Sequence, residues 1–390
     1  MRTAALLLPL LLLAGRAQAA ALSRGPYLES MGASDVTVRF RTDIDTVAWL
    51  SYGAAPDCER FLTPAGPGIE HRVQLYGLLP DTTHCYRIYL PVEQSTCDYQ
   101  AYQGTFVTFP DEDKPDFSFL AFGGSGSGSQ DQRDLAAQMD KFTPDFVLHT
   151  GDMLSSGRDS EADDEFFAPY SSMLARVPFF PTLGLSDYGP GYDKPAGREF
   201  LRYNYLPFHS VPYTGLYPHY YYFDIGNARF VVLDANSFAG ARYAPALRPG
   251  LKQYKWLEFV LSRARDKAWK FVVLNEPLYS TGSEPREDEI KTLEPLFQKY
   301  GVDLVLQGRD RDYERTVPLK DGAPDQVAGI TYVTLGGGGM SLGVEQRTEP
   351  WSAKFLPEYT FALFAVRDRD LKMTVYDKSG EVVDTLEIQK

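Results

Sequence analysis

The chain's capacity for chemistry is concentrated in five short segments: Gly123-Gly-Ser-Gly-Ser-Gly-Ser129, Gly151-Asp152-Met-Leu-Ser155, Gly184-Leu-Ser-Asp187, Asn275-Glu-Pro-Leu-Tyr279 and Gln307-Gly-Arg309-Asp-Arg311-Asp-Tyr-Glu-Arg315. They supply carboxylates, an amide, hydroxyls and guanidinium groups, but no imidazole. Ser186 beside Asp187 therefore has no histidine base within these segments to make it a nucleophile. His149 lies close to Asp152 in sequence but outside these segments. Arg309 and Arg311 each present a planar fork of donors suited to a carboxylate or a phosphate. One reading pairs them internally with Asp152 and Glu276, so that no carboxylate is left without a partner. The other makes Arg309 and Arg311 an anion-binding pocket, assisted by Ser125, Ser127 and the backbone amides of the glycine-rich loop at a helix start. Oxygens from Asp152, Asp187, Glu276, Asp310 and Asp312 would suit a single Ca²⁺ or Mg²⁺, but the neighbouring arginines oppose it.

Most of these segments follow apolar runs that read as strands: Phe117 to Phe122, Phe146 to His149, Phe271 to Leu274 and Val302 to Leu306, with a further run at Phe230 to Leu233. Apolar residues at three- and four-residue steps predict helices over Gln130 to Lys141, Gln253 to Arg265 and Asp288 to Tyr300. Strand, helix, strand order implies an α/β layered domain, a β-sandwich flanked by helices, with its site at the carboxyl ends of the strands. Phe361 to Ile388 reads as a closing hairpin turning at Asp377-Lys-Ser-Gly380, and Gly336 to Gly339 as a tight turn. Before residue 110 the pattern is different. Runs such as Val36 to Phe40, Thr46 to Tyr52 and Tyr86 to Leu90, separated by Gly, Pro and Asp, have the cadence of a small all-β sandwich. Pro110-Asp-Glu-Asp-Lys-Pro115 has the composition of a boundary, giving units over 22–110 and 116–390.

In order and spacing the five segments resemble the motif blocks of the calcineurin-like metallophosphoesterases, in the purple acid phosphatase-like branch. Leu148-His-Thr-Gly-Asp152, Tyr222-Phe-Asp-Ile-Gly-Asn-Ala-Arg-Phe230 and Gly336 to Gly339 add to the likeness. Leu79-Pro-Asp-Thr-Thr-His84-Cys-Tyr86 resembles the corner of a fibronectin type III domain, with His84 where a tyrosine is usual. The family resemblance implies two metal ions about 3.5–4 Å apart that orient a phosphate ester and supply a hydroxide. Against the family's pattern, Gly124 stands at an aspartate ligand position and Ser155 at a tyrosine. Leu185 and Ser186 replace the amide ligand and the catalytic histidine, Asn275 replaces a histidine, and Arg309 and Arg311 replace the last histidine pair. Only Asp152, the expected bridging carboxylate, is kept. No catalytic residue, metal or other cofactor is expected from such a set. If the chain were active, it would need a divalent or binuclear metal centre.

The expectation is an exported pseudophosphatase acting as an anion- or partner-binding scaffold. Its alternatives are an active phosphoric-ester hydrolase with an atypical metal site, or a structural envelope or matrix protein. Arg2, the apolar run from Ala4 to Ala14 and Ala17-Gln-Ala19 predict a signal peptide over 1–19 and a periplasmic or extracellular location. No stretch is long enough for stable membrane insertion. Lys+Arg 39 against Asp+Glu 52, a net charge of −13, argues against a nucleic-acid partner and leaves a small anion, a glycan or a protein. Cys58, Cys85 and Cys97 predict one disulfide and one leftover thiol, with the pairing open. The aromatic span from Phe200 to Phe223, including Tyr203, Tyr205, Phe208, Tyr213, Tyr217 and Tyr220 to Tyr222, reads either as packing or as a recognition surface.

Overall fold

A computed structural model describes residues 19–92, 99–111, 114–193, 219–282 and 288–390. The expected leader up to residue 18, Cys97, and the aromatics Tyr203, Tyr205, Phe208, Tyr213 and Tyr217 lie outside the described residues.

The first five strands are β1 (Leu22–Glu29), β2 (Asp35–Ala54), β3 (Phe61–Tyr76), β4 (Thr83–Pro91) and β5 (Tyr99–Val107). The runs at 36–40 and 46–52, which read as two strands in the sequence, form one: β2 continues through them with a register shift between Arg41 and Thr46. Its inward residues Val36, Val38, Phe40, Ala48 and Leu50 are fully buried. This long strand pairs with β3 along its length, but with β1 in its first half and β4 in its second. The change of partner lets one sheet supply both layers of the N-terminal sandwich. The ring of His84 accepts the tyrosine's structural role, with Nε2 3.0 Å from the Leu79 carbonyl oxygen and the ring stacked on Phe106. Cys58 and Cys85 form a disulfide.

From Phe117 onward the strands build two larger sheets. In one, β6 (Phe117–Phe122), β7 (Phe146–His149) and β8 (Phe179–Pro181) run parallel. In the other, β9 (Tyr221–Ile225) flanks the parallel strands β10 (Ala228–Val232), β11 (Trp269–Leu274) and β12 (Leu304–Gln307). Next come β13 (Tyr313–Thr316), a small hairpin of β14 (Leu319–Lys320) and β15 (Ala323–Pro324), β16 (Thr331–Leu335) and β17 (Ser352–Leu356). Strand β16 lies parallel to β12, and β13 lies between β16 and β17. The tail is a three-stranded meander rather than the single hairpin expected: β18 (Thr360–Arg367), β19 (Asp370–Asp377) and β20 (Val382–Gln389), with β18 joined to β6. A second turn, at Asp368 (φ 51°), divides the first half of the predicted hairpin.

Stacked phenylalanines fill the space between the sheets. Phe119 lies against Phe364 at 4.4 Å and Phe146 at 5.1 Å, and meets Phe230 edge-on at 5.1 Å; Phe230 in turn stacks on Phe271 at 4.4 Å. Such pairs add about 1 kcal/mol each beyond the area they bury. Helices cover the outer faces: Gln130–Met139 between β6 and β7, Lys252–Ser262 between β10 and β11, and Glu294–Tyr300 before β12. The last follows a 3₁₀ turn over Asp288–Leu293, so the predicted single helix is divided at Pro295, which lacks the amide needed to continue it inward from Glu294.

The N-terminal sheet is joined to this body by buried contacts. Tyr86 donates to the Ala175 carbonyl oxygen at 2.9 Å, and Phe109 packs on Phe146 and Phe180. Arg24, fully buried, spans Asp159 and Asp163 and lies 4.5 Å over the ring of Phe167.

Candidate functional site

Parallel strands deliver their carboxyl ends to one edge of the molecule: Gly123 after β6, Gly151 after β7, Gly184 after β8, Asn275 after β11, Gly308 after β12 and Gly336 after β16. They frame a cleft of about 420 Å³ lined by Asp152, Leu185, Ser186, Tyr192, Gly282, Arg309, Asp310, Arg311 and the segment Ser341 to Gly343.

Asp152 is held by its neighbours. Its Oδ1 accepts from the Ser186 amide at 2.8 Å and the Ser186 hydroxyl at 2.9 Å, and Oδ2 accepts from Asn275 Nδ2 at 3.4 Å. Asn275 is itself fixed, donating to the Thr150 carbonyl oxygen at 2.8 Å and accepting from the Leu185 amide at 3.2 Å. Leu185, Ser186 and Asn275, which stand where the family resemblance expects ligands, thus form an internal network around Asp152. Arg309 is ion-paired with Glu276, whose side chain is only 2% exposed. Arg311 is exposed, and its guanidinium has neither ion pair nor hydrogen bond among the described residues; its backbone carbonyl oxygen accepts from the Gly343 amide at 2.8 Å. The expected internal pairing therefore occurs for Arg309 through Glu276.

The glycine-rich loop faces inward. The amides of Ser125 and Gly126 donate to the Asp152 carbonyl oxygen at 3.1 and 3.2 Å, and that of Gly124 donates to the Gly151 carbonyl oxygen at 2.9 Å. Ser125 is fully buried with its hydroxyl 2.9 Å from His149 Nε2, while the Gly151 amide donates to His149 Nδ1 at 3.1 Å. This places the ring proton on Nε2, donated to Ser125; burial lowers the His149 pKa to about 3, keeping the ring neutral. Ser127 donates to Ser129 at 2.9 Å, and Ser129 caps the following helix. Ser125 and Ser127 are thus corrected as anion-binding residues: they satisfy the turn and the helix start instead. Ser155 also points elsewhere, donating to Glu165 at 2.7 Å.

The residues present do not fit the binuclear metal centre that the fold implies. Asp152 is the one carboxylate among the ligand positions, and its oxygens already accept three hydrogen bonds. At Gly124 the backbone is left-handed, with φ 63°, and a Cβ there would lie 2.2 Å from the Gly336 carbonyl oxygen. An aspartate has no room there without a backbone shift. The guanidinium of Arg309 adds a permanent cation to the same cleft. Among the described residues no group of three or more His, Cys, Asp or Glu is placed to hold a metal ion.

Two buried carboxyls lie behind the cleft. Asp187 accepts from the amides of Asp152 and Gly184, at 3.1 and 2.8 Å, and from Leu154 at 3.3 Å; burial, and then the charge of Asp152, raises its pKa. Asp312 is fully buried with no hydrogen bond to either oxygen, close behind Gly282. Burial, reinforced by Asp310 and Glu314, raises its pKa to about 8. Of the sequence-derived positions, Asp152, Leu185, Ser186, Arg309 and Arg311 meet at the cleft; Asn275 supports them from behind. Tyr192, Gly282 and Ser341 to Gly343 were not singled out, since their only signals are adjacency to Gly191 and to the Gly336 to Gly339 run.

This arrangement of two sheets, outer helices and a strand-end cleft is a metallophosphoesterase fold preceded by a β-sandwich. Residues 118–308 match the model of the calcineurin-like phosphoesterase family. The relatives are purple acid phosphatase-like and include ones named inactive. The chain is 26% identical over 371 residues to "Probable inactive purple acid phosphatase 24" of Arabidopsis thaliana, covering 83% of this chain and 58% of the plant protein. It is 27% identical over 282 residues to the nucleotide pyrophosphatase/phosphodiesterase of Hordeum vulgare, covering 63% of this chain and 72% of the barley protein. Among solved structures, purple acid phosphatase PPD1 from yellow lupin seeds matches with a TM-score of 0.78 at 19% identity, over 95% of this chain and 74% of the lupin chain. The chain spans little more than half the length of the Arabidopsis protein.

Proposed function

We propose that the chain is an exported pseudophosphatase whose cleft binds a small anion, such as a phosphate group, through Arg311, and so serves as a scaffold for an anionic ligand or partner. The carrying observation is the contrast between the two guanidinium groups: that of Arg309 is braced by Glu276, whereas that of Arg311 is exposed and unpartnered among the described residues. A permanent cation then occupies the region where this fold's metals supply positive charge. The relatives named inactive support the loss of turnover. The Cys58–Cys85 disulfide supports an oxidising compartment, periplasmic or extracellular. Among the described residues no helix is long and apolar enough to cross a membrane.

The test is thermal unfolding in increasing inorganic phosphate, with chloride matched for ionic strength. Ligand binding to the native state raises the melting temperature by mass action. The expected result is a phosphate-specific rise that Arg311→Ala abolishes. No rise, or an equal rise in Arg311→Ala, would refute the reading.

A further inference from the structure

A second cleft, of about 510 Å³, lies on the outer face of the N-terminal sheet, apart from the strand-end site. Its lining follows from strand register. Trp49 on β2 stands opposite Tyr89 on β4, and Ser51 opposite Arg87; on the other side Leu62 of β3 faces Ser51. Residues two apart share a face, so Trp49, Ser51, Arg87 and Tyr89 project outward while Leu50 and Ile88 enter the core. Trp49 is 37% exposed and Leu62 61%, whereas Ser51 is buried at the floor. Tyr99, edge-on to Tyr89 at 6.3 Å, and Glu59 complete the rim.

The polar groups form one short chain within this aromatic surround. Ser51 donates to the Tyr89 hydroxyl at 3.4 Å, and that hydroxyl donates to Glu59 Oε1 at 3.3 Å. Arg87 is ion-paired with the same carboxylate. The disulfide fixes this geometry, because Cys58 adjoins Glu59 in the loop and Cys85 lies on β4, two residues before Arg87. Glu59 and Arg87 cancel, so the cleft is close to neutral in a chain whose net charge is −13.

We infer that this cleft binds a neutral pyranose oligosaccharide. The C–H face of a sugar ring packs on Trp49 and Tyr89, whose π faces attract its partly positive hydrogens. Sugar hydroxyls both donate and accept, which matches a row holding a serine, a phenol, a carboxylate and a guanidinium. The volume suits one or two rings by the usual range of roughly 300–1,000 Å³ for ligand sites. A peptide fits less well. Strand addition needs an open backbone edge; here β2 and β4, which form the floor, are each paired on both sides, and the open edges of β3 and β5 bound the cleft, so an added strand would lie beside it rather than in it. A charged peptide would have to separate Arg87 from Glu59.

The experiment is affinity electrophoresis of the whole chain in native gels containing hydroxyethylcellulose, galactomannan or dextran, with polygalacturonate as the anionic comparison. Retardation is expected in at least one neutral gel, at least tenfold weaker for Trp49→Ala and about threefold weaker for Tyr89→Phe. Unchanged mobility in every neutral gel overturns the inference, as does retardation by polygalacturonate alone, the result expected of a general anion site. Wild-type retardation of Trp49→Ala also overturns it. If that variant fails to fold, Tyr89→Phe decides, because it keeps the ring and removes only the hydroxyl; its undiminished retardation refutes the inference.

Discussion

The guanidinium of Arg309 and the carboxylate of Glu276 join the ends of β12 and β11 by an ion pair in which the acid is 2% exposed and the arginine 26%. Removing the cation leaves a buried charge without its guanidinium. Arg309→Ala should therefore destabilise the chain by about 2 kcal/mol, less than a wholly buried pair because the arginine is partly solvated. In a Glu276→Gln background the same change should cost well under half as much. Urea unfolding of the four proteins gives the coupling directly, and equal costs in both backgrounds would show that the pair contributes nothing.

Turnover should be absent. With p-nitrophenyl phosphate and added zinc, iron, manganese or magnesium, release of p-nitrophenol should match a buffer control. Elemental analysis of the purified chain should find well below one ion per molecule. Metal-dependent turnover that disappears in Asp152→Ala would reinstate the hydrolase.

Restoring the family's aspartate at 124 should not restore a metal. The left-handed backbone and the Gly336 carbonyl oxygen, 2.2 Å from an added Cβ, penalise any side chain there. Gly124→Asp is expected to cost about 3 kcal/mol and to leave the melting temperature insensitive to zinc. A zinc-dependent rise would indicate that the loop rearranges to accept the ligand.

Asp312 sets a pH dependence. Its carboxyl titrates near 3.8 when unfolded and is raised to about 8 when folded. The native state therefore holds a proton that the unfolded state has lost between those values. Stability from this group is fully present below about pH 4 and falls by about 1.4 kcal/mol per pH unit towards pH 8. Asp312→Asn should be more stable than the parent at pH 8, with the gap closing as the pH approaches 4. A gap that stays constant across this range would show that Asp312 is not the titrating group.

Strands β6 and β7 and the loops after them could be read from the sequence because uninterrupted apolar runs ending in Gly-rich or acidic turns have few other solutions. The candidate site positions came from the family resemblance of the segments that carry them, and of these Asp152, Leu185, Ser186, Arg309 and Arg311 line the cleft. Other features depended on contacts distant in the chain. The fusion of two short runs into β2 reflects shared pairing with β3, which lies beyond the intervening turn. The inward direction of Ser125 is set by His149, across the β6–β7 pair. That Arg309 rather than Arg311 takes Glu276 is a matter of side-chain direction at a left-handed residue, φ 64°, with no mark in the residue types.

The seam where Phe109 meets Phe146 and Phe180, and Arg24 crosses to Asp159 and Asp163, makes one hydrophobic cluster continuous across both parts of the chain, from Ala20 to Val375, beside a second cluster that includes Val231, Leu257 and Val305. A chain begun at Phe117 would expose those rings to water, and one ended at Phe109 would leave Arg24 without its acids. The sandwich and the phosphoesterase layers should consequently melt in one step, with a denaturant slope proper to the whole chain. The fold's persistence then resides in aromatic packing well away from the strand-end cleft. Exchange of residues at its rim leaves that reserve untouched.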